Sequence, residues 1–271
     1  MAREYLNKSL DRGLRILDLF NESATTLTAS EIAAELGTSP ATLYPTLHTM
    51  TSHGYLIRDE RKRYRLGMKL LERSGQVLAQ SDVRRVARPH IKALARSRQV
   101  TADLGILYGH EVLYLEREAG HPTVILSEVV GRRVPAHCTS LGKVLLAYLP
   151  DEERLEIVHQ LPLDPYTQNT IVDPKRLLGE LETIRTSGYA LDVEEFHPGN
   201  ACVGAPIWSH GGRVVAAISL MLPVDERVRN QQCEVEASAV VETANAISGE
   251  LGYAPSAGSI HRPEGPPVVG K

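Results

Sequence analysis

The sequence predicts an α+β protein in three parts: a small helical module closed by a hairpin, a connecting helix, and a larger domain around a central antiparallel sheet. Apolar residues recur at helical spacing through most of the first 80 residues. From residue 101 the pattern turns β-like, then helical, then β-like again, and it ends in a long helical stretch. We place the parts at 1–66, 67–81 and 82–253, followed by a disordered, proline-rich tail at 254–271.

Composition is that of an ordinary folded protein, with 271 residues, 42% hydrophobic, 23% charged and a formal net charge of -3. The charge is uneven, because residues 1–85 carry a balance of +3 and residues 86–271 a balance of -6. A basic segment on an acidic body favours a polyanionic partner for that segment, although a solvated charged turn gives the same pattern. No secretory signal, CxxC pair or apolar run of about 18 residues is visible. We therefore expect a cytoplasmic protein with no membrane partner.

The first helix is predicted at about 6–21, where apolar residues recur every three or four positions. This stripe consists of Leu6, Leu10, Leu14, Leu17 and Phe20. Thr28 and Glu31 form a capping-box pattern that opens a short second helix. Ser39-Pro40 then supplies an N-cap and a first-turn proline for a third helix, which stops near Gly54. Two short helices joined by a three-residue turn are a helix-turn-helix in outline.

A basic hairpin is predicted directly after these helices. Tyr55–Arg58 and Arg63–Leu66 are short β-like runs that flank four charged residues at 59–62. A helix, a helix-turn-helix and a basic hairpin in that order within 60 residues are typical of a winged DNA-binding module. We therefore predict double-stranded DNA as the partner of this part.

The last helix of this module is expected to enter the major groove with its N-terminal half. Its outward face lacks the Arg, Asn and Gln side chains that make bidentate contacts to guanine and adenine. Methyl contacts, single hydroxyl hydrogen bonds and shape readout must replace them, and Pro45 should kink the helix or tighten its first turn. The helix N-terminus and the basic hairpin suit phosphates. The predicted DNA-contacting residues are Ser39, Ala41, Thr42, Pro45, Thr46, Thr49, Arg61, Lys62 and Arg63.

An amphipathic connecting helix is predicted over Gly67–Gln80. Its apolar stripe comprises Leu66, Leu70, Leu71, Val77 and Leu78. We expect this stripe to pack on its twin in a homodimer, and packing on its own N-terminal module is the alternative. The elements expected beyond it are a helix at 83–99, strands at 101–108, 111–118 and 123–127, helices at 140–149, 151–159 and 174–187, strands at 190–193, 201–208 and 213–220, and a final helix at 225–251.

Four stretches carry a resemblance to IclR-type bacterial transcriptional regulators: Tyr64–Gly67, Val83–Pro89, Gly131–Lys143 and Gly188–Ile207. The likeness extends in order over about residues 8–251. It implies an N-terminal winged helix-turn-helix, a linker helix, and a C-terminal GAF-like α/β domain that binds a small organic effector. It also implies dimers, often paired into tetramers, whose affinity for an operator the effector changes, and it implies a regulator rather than an enzyme.

The resemblance also implies where the effector binds, between a helix start and neighbouring strands. The residues at these positions are Thr139, Ser140, Leu141, Asp192, Cys202, Ser219 and Met221. Relatives that bind small oxoacids have Gly-Ala in place of Ser140-Leu141 and a serine in place of Met221. We therefore expect a ligand less polar than a two-carbon oxoacid, with an aliphatic or aromatic body.

The residues themselves support an anion at this helix start. Thr139–Gly142 opens a helix, and its free amides and positive dipole end attract a carboxylate. Asp192 can accept a ligand hydroxyl or, when protonated, donate to a carboxylate. Structural alternatives remain: Asp192 capping a turn, Cys202 in the core and Ser219 bonded within the sheet. The Glu194-Glu195 pair is expected on a solvated face.

Enzyme patterns are incomplete. Ser140–Lys143 has the S-x-x-K spacing of penicillin-recognising enzymes, but the S-D-N and K-T-G companions are absent. No H-E-x-x-H, G-x-G-x-x-G or Walker A stretch is present, so we expect no cofactor and no metal. A metal site would require residues that are distant in the sequence to meet in the fold, and the candidates are His137, Cys138, His197 and Cys202. Because GAF-like domains include methionine-sulfoxide reductases, the alternative function is a redox enzyme or sensor that uses Cys202.

Overall fold

The structure, a computed structural model, describes residues 6–21, 23–120 and 130–254. The chain divides into two compact units, with the division between Gln80 and Ser81. The predicted α+β class is confirmed, because helices accompany an antiparallel sheet in each unit. The strand predicted at 123–127 and the tail from residue 255 lie outside the described residues, and the predicted boundaries of the parts stay a prediction. No helix in the described ranges is long and apolar enough to cross a bilayer.

The first unit is a helix-turn-helix followed by a hairpin. Its elements are α1 Lys8–Asp18, β1 Leu27–Thr28, α2 Ala29–Glu35, α3 Pro40–Ser52, β2 Leu56–Arg58, β3 Arg63–Leu66 and α4 Met68–Ala79. The predicted capping box of Thr28 and Glu31 opens α2, and Ser39 caps α3. β3 pairs antiparallel with β2 and with β1, a two-residue strand too short to leave a pattern in the sequence.

The core of this unit is built from all of these elements except α4. Its buried residues are Ile16, Ile32, Ala33, Leu43, Leu47, Leu56 and Tyr64. The prediction that the leucine stripe of the first helix packs into the core was wrong in part. Ile16 is fully buried, whereas Leu10 and Leu14 are 63% and 56% exposed, because α1 packs through the face that carries Ile16, Leu17 and Phe20.

The second unit is built on one six-stranded sheet. Its elements are α5 Asp82–Arg98, β4 Ala102–Tyr108, β5 Glu111–Glu118, β6 Arg133–Pro135, α6 Ser140–Ala147, α7 Asp151–Gln160, α8 Pro174–Ser187, β7 Ala190–Val193, β8 Asn200–Trp208, β9 Val214–Pro223, α9 Glu226–Arg229 and α10 Glu234–Glu250. The strand order is β6-β5-β4-β9-β8-β7, and each neighbouring pair is antiparallel, as predicted. β6 was not predicted, and the predicted final helix is two helices.

Helices cover both faces of this sheet. α5 and α10 pack on one face, and α6 and α8 belong to the core on the other. Two glycines bring the start of α6 close to the sheet: a Cβ on Gly142 would stand 2.2 Å from the Ala136 carbonyl oxygen, and one on Gly204 in β8 would stand 3.1 Å from the Ser140 carbonyl carbon. The first turn of α6 therefore lies directly over the strands.

Candidate functional site

The first candidate surface is the exposed side of α3. The Ser39 hydroxyl accepts a hydrogen bond from the Thr42 amide at 3.3 Å, and the Thr42 amide also bonds the Ser39 carbonyl at 3.1 Å. The second bond spans three residues, so α3 starts with a tight turn, and the helix continues through Pro45 to Ser52. The predicted residues exposed along it are Ala41, Thr42, Pro45 and Thr49.

Two other side chains change the predicted surface of α3. Thr46 is only half-exposed, and its methyl lies 3.7 Å from where a Cβ on Gly13 of α1 would stand. Tyr44 and His48, which were not predicted as DNA-contacting residues, are exposed one helical turn apart. Their spacing of four residues on a predicted helix is the signal that identifies them.

The β2–β3 turn divides its three predicted cations into two kinds. Arg61 and Lys62 are exposed at the tip. Arg63 is half-buried, and its guanidinium donates to the Thr26 hydroxyl at 3.0 Å and to the Thr26 carbonyl at 2.7 Å, with Glu31 at 3.7 Å. Arg63 therefore links β3 to the segment before β1, while Arg61 and Lys62 remain available to phosphates.

The second candidate site is a cavity of about 210 Å³ in the second unit. All seven residues predicted for the effector line it: Thr139, Ser140, Leu141, Asp192, Cys202, Ser219 and Met221. Strand register explains how distant residues meet there, because Cys202 in β8 pairs with Asp192 in β7 and with Met221 in β9.

The first turn of α6 forms one wall of this cavity. Thr139 caps the helix: its hydroxyl accepts from the Gly142 amide at 3.3 Å and donates to the Pro135 carbonyl at 2.9 Å. The first-turn amides of Ser140 and Leu141 have no acceptor within the helix. They carry the positive end of the helix dipole, which attracts an anion.

Asp192 forms the end of the cavity on β7 and is 5% exposed. Its carboxylate accepts a hydrogen bond from the Glu195 amide at 2.9 Å, so it also caps the turn after β7. Burial, reinforced by the Glu195 charge, raises the pKa of Asp192 to about 7. At neutral pH this side chain can therefore donate or accept a hydrogen bond.

Asp103 and Arg117, neither of which was predicted as a site residue, line the cavity at its other side. The guanidinium donates to the two Asp103 carboxylate oxygens at 2.5 and 2.9 Å. They face one another because β4 and β5 shift register between Leu104 and Gly105, which pairs Asp103 with Arg117. Two charged residues of opposite sign on neighbouring predicted strands were the sequence signal that could have identified this pair.

The cavity is more polar than Leu141 and Met221 predicted. Ten of its fifteen lining residues carry polar side chains. The lining residues not yet named are Tyr114, Arg132, Val134, Phe196, His197 and Asn200. The Leu141 side chain is 2% exposed and belongs to the hydrophobic core, with its Cδ1 3.3 Å from where a Cβ on Gly105 would stand. Its presence at the helix start therefore adds little apolar surface to the cavity.

A buried ion pair joins two walls of the cavity. Lys143 in α6 is 1% exposed, and its ammonium contacts Glu195 at 2.5 Å and Glu180 at 3.1 Å. Glu195 is 8% exposed, so its predicted place on a solvated face was wrong. Glu194 is also partly buried and pairs with Arg229 at 3.3 Å. The Lys143–Glu195 pair fixes the turn that follows Asp192 against the helix that carries Ser140.

Family comparisons describe both units. A model of the IclR helix-turn-helix domain matches residues 9–60, and a model of the bacterial transcriptional regulator IclR C-terminal domain matches residues 75–249. The chain belongs to the IclR family. It is 38% identical over 247 residues to the HTH-type transcriptional regulator XynR of Escherichia coli (strain K12), which covers 91% of this chain and 98% of that protein. The chain is thus an IclR-type DNA-binding transcriptional regulator with a C-terminal effector domain.

Solved IclR-family structures share this architecture. The Thermotoga maritima IclR aligns with a TM-score of 0.71 and 32% identity, covering 91% of this chain and 99% of that chain. An IclR homolog from Microbacterium hydrocarbonoxydans was crystallised in complex with 4-hydroxybenzoate. It aligns with a TM-score of 0.77 and 30% identity, covering 90% of this chain and 98% of that chain. The similar IclR-family proteins are regulators by name, and the redox alternative is not favoured.

The thiols of this IclR-family chain lack the properties of a redox site. Burial raises the pKa of Cys202 well above its usual value, and the Asp192 and Asp103 charges raise it further. Burial also raises the pKa of Cys138. Reactive thiols instead have a lowered pKa. Among the described residues, no three His, Cys, Asp or Glu side chains are grouped so that they could hold a metal ion.

Proposed function

We propose that this regulator binds its operator as a homodimer through α3 and the β2–β3 turn, and that a small carboxylate in the 210 Å³ cavity changes its operator affinity. The observation that carries the effector half of this proposal is the first turn of α6. Two amides without intrahelical acceptors lie at a cavity wall, and the cavity is lined by residues of all six strands of the sheet and of the turn after β7.

A carboxylate suits this wall for electrostatic reasons. The Ser140 and Leu141 amides donate to it, and the helix dipole favours its negative charge. Asp192, whose pKa burial raises to about 7, donates when protonated instead of repelling the anion. The Microbacterium relative crystallised with 4-hydroxybenzoate, itself a carboxylate, supports an acid as the ligand class.

For DNA, we assign the base contacts to the exposed side of α3 and the phosphate contacts to its N-terminus and the β2–β3 tip. The Thr42 hydroxyl bonds the Ser39 hydroxyl and the Thr49 hydroxyl donates to the Pro45 carbonyl, so each oxygen can still accept a hydrogen bond from a base. Tyr44 and His48 add larger exposed groups. Arg63 acts as a structural link to Thr26, so we expect its alanine variant to lower the melting temperature of the first unit.

Exposed apolar side chains on α4 support the proposal that the homodimer forms through this helix. Met68, Leu71 and Val77 are 67%, 64% and 68% exposed in the single chain. Met68 and Leu71 are three residues apart on one side of α4, and Val77 lies on another side, so exposed apolar side chains surround much of the helix. Large exposed apolar side chains of this kind are typical of a protein interface. A twin helix covers part of this surface in our proposal, and a dimer of dimers is the larger assembly that light scattering distinguishes.

An effector can act on DNA binding only by binding unequally to the free and DNA-bound dimer. The direct test is a thermal-shift screen of carboxylates against the full chain, with the neutral amide of each acid as its partner. We expect acids, and not their amides, to raise the melting temperature. Asp192→Ala should abolish the shift, whereas Glu152→Ala, an exposed control in α7, should keep it. Stabilisation by amides and acids alike contradicts the proposal.

A further inference from the structure

We propose that the effector is a small carboxylate with two or more hydroxyl groups, which form hydrogen bonds with Asp103 and Asp192 at opposite ends of the cavity. This inference rests on the proposed function, in which the carboxylate of the ligand lies at the start of α6. It departs from the aliphatic or aromatic body that Leu141 and Met221 alone predict.

The two aspartates lie on one face of the sheet and three strands apart. Asp103 in β4 pairs with Ser219 in β9, and Met221, two residues further along β9, pairs with Cys202, which pairs with Asp192. Strands are spaced about 4.8 Å apart and residues along a strand about 3.3 Å apart, so three strand spacings and the two-residue offset separate the backbones of Asp103 and Asp192 by roughly 16 Å. A ligand that spans the cavity therefore meets a carboxyl group at each end.

Asp103 can accept hydrogen bonds from a ligand, but the Asp103–Arg117 pair has no net charge that would attract an anion. The two Asp103 oxygens each take one hydrogen bond from Arg117, which neutralises the guanidinium. A carboxylate has about four lone-pair sites, so about two remain for a donor on the ligand. A ligand carboxylate placed here would instead compete with Asp103 for Arg117.

The remaining lining favours the same ligand chemistry. The Tyr114 and Ser219 hydroxyls, the Asn200 amide and the His197 ring share the cavity with the aspartates. A hydrocarbon body removes water from these groups and returns no hydrogen bond, and buried polar groups left unpaired are costly. A site of this kind rejects an analogue that lacks the expected hydroxyl far more strongly than an apolar pocket rejects one that has it.

The cavity volume limits the ligand to a small molecule. At about 210 Å³ it lies below the roughly 300–1,000 Å³ typical of pockets for drug-sized ligands. Short-chain hydroxy acids with several hydroxyl groups are small enough for a cavity of this size. A single phenol hydroxyl, as on 4-hydroxybenzoate, serves at most one of the two aspartates.

The test is isothermal titration of the full chain with matched pairs of acids. Aldonic acids of four, five and six carbons, in each available configuration, are compared with straight-chain fatty acids of equal length and with benzoate. We expect at least one aldonic acid to bind more than tenfold tighter than its fatty-acid counterpart. Tighter binding of the fatty acids or of benzoate overturns the hydroxyl inference and leaves the carboxylate proposal standing. Binding of neutral polyols alone, or of no compound at all, overturns both.

Two variants test whether the aspartates cause the preference for aldonic acids over fatty acids. Asp192→Leu keeps the size of the side chain and removes its hydrogen-bonding atoms, and Asp103→Leu combined with Arg117→Met replaces the buried pair by apolar groups of similar volume, so that no lone charge is left. In each variant we expect the preference for the aldonic acid over the fatty acid to fall below threefold, mainly through weaker binding of the aldonic acid. A preference that persists in both variants overturns the role of the aspartates.

Discussion

Lys143→Met is the substitution that most sharply tests how the effector cavity is held together. The ammonium of Lys143 is 1% exposed and contacts Glu195 at 2.5 Å. Burial lowers the pKa of Lys143, but the Glu195 and Glu180 charges outweigh it and raise the pKa, so the ammonium is charged at neutral pH. Among the described residues Glu195 Oε2 has no hydrogen-bond partner, so the Lys143→Met variant leaves a buried carboxylate with little compensation.

The magnitude follows from that uncompensated charge. Removing one partner of a buried ion pair costs about 3–5 kcal/mol, whereas replacing both partners by apolar groups is often neutral. In a domain of this size 1 kcal/mol shifts the melting temperature by roughly 2–4 °C, so we expect a fall of about 6–20 °C. Lys143→Met combined with Glu195→Leu should recover most of it.

Differential scanning calorimetry at pH 7 measures both variants. Lowering the pH towards 5 should reduce the loss in Lys143→Met, because the raised pKa of Glu195 lets the folded state take up a proton that the unfolded state does not bind. A fall of less than 2 °C refutes the reasoning. A double variant as unstable as the single one also refutes it, since volume and not charge would then be the cause.

Three further predictions concern DNA, assembly and pH. Arg61→Ala with Lys62→Ala should weaken binding to every DNA sequence and reduce the slope of log affinity against log salt by about two, and an unchanged slope in an anisotropy titration excludes a phosphate clamp. Leu71→Glu with Val77→Glu should give smaller species in light scattering and poor operator binding, whereas an unchanged mass places the interface elsewhere. Because an anionic ligand favours protonated Asp192, its affinity should fall about tenfold for each pH unit above about 7. Titration calorimetry from pH 6 to 9 checks this, and Asp192→Asn should make the affinity independent of pH.

Local sequence signals predicted the first unit well. The capping box of Thr28 and Glu31, the Ser39 cap and the four-residue turn at 59–62 each depend on residues within five positions of one another. Such interactions are fixed by backbone geometry over one or two turns. The side of α1 that packs inward was harder, because Leu10 and Ile16 both fit an apolar pattern and only the tertiary partners select Ile16.

In the second unit, patterns among neighbouring residues did not suffice to predict the whole site. The family resemblance brought seven distant residues to one cavity, but it did not supply the charges beside them. Asp103 meets Arg117 only because of a register shift after Leu104, and a regular hairpin through residues 108–111 would have opposed Asp103 to Glu116. Lys143 and Glu195 are separated by 52 positions, and their pairing depends on how α6 lies on the sheet.

A carboxylate in the 210 Å³ cavity should change the affinity of this regulator for its operator. The most direct measurement is fluorescence anisotropy of the full chain on an operator selected from random duplexes, with and without a saturating acid from the thermal-shift screen. We predict at least a fivefold change in operator affinity for the wild type. Asp192→Ala should bind the operator equally well without ligand and change less than twofold with it. A wild-type affinity that stays constant at saturating ligand, or an equal response of the variant, contradicts the claim.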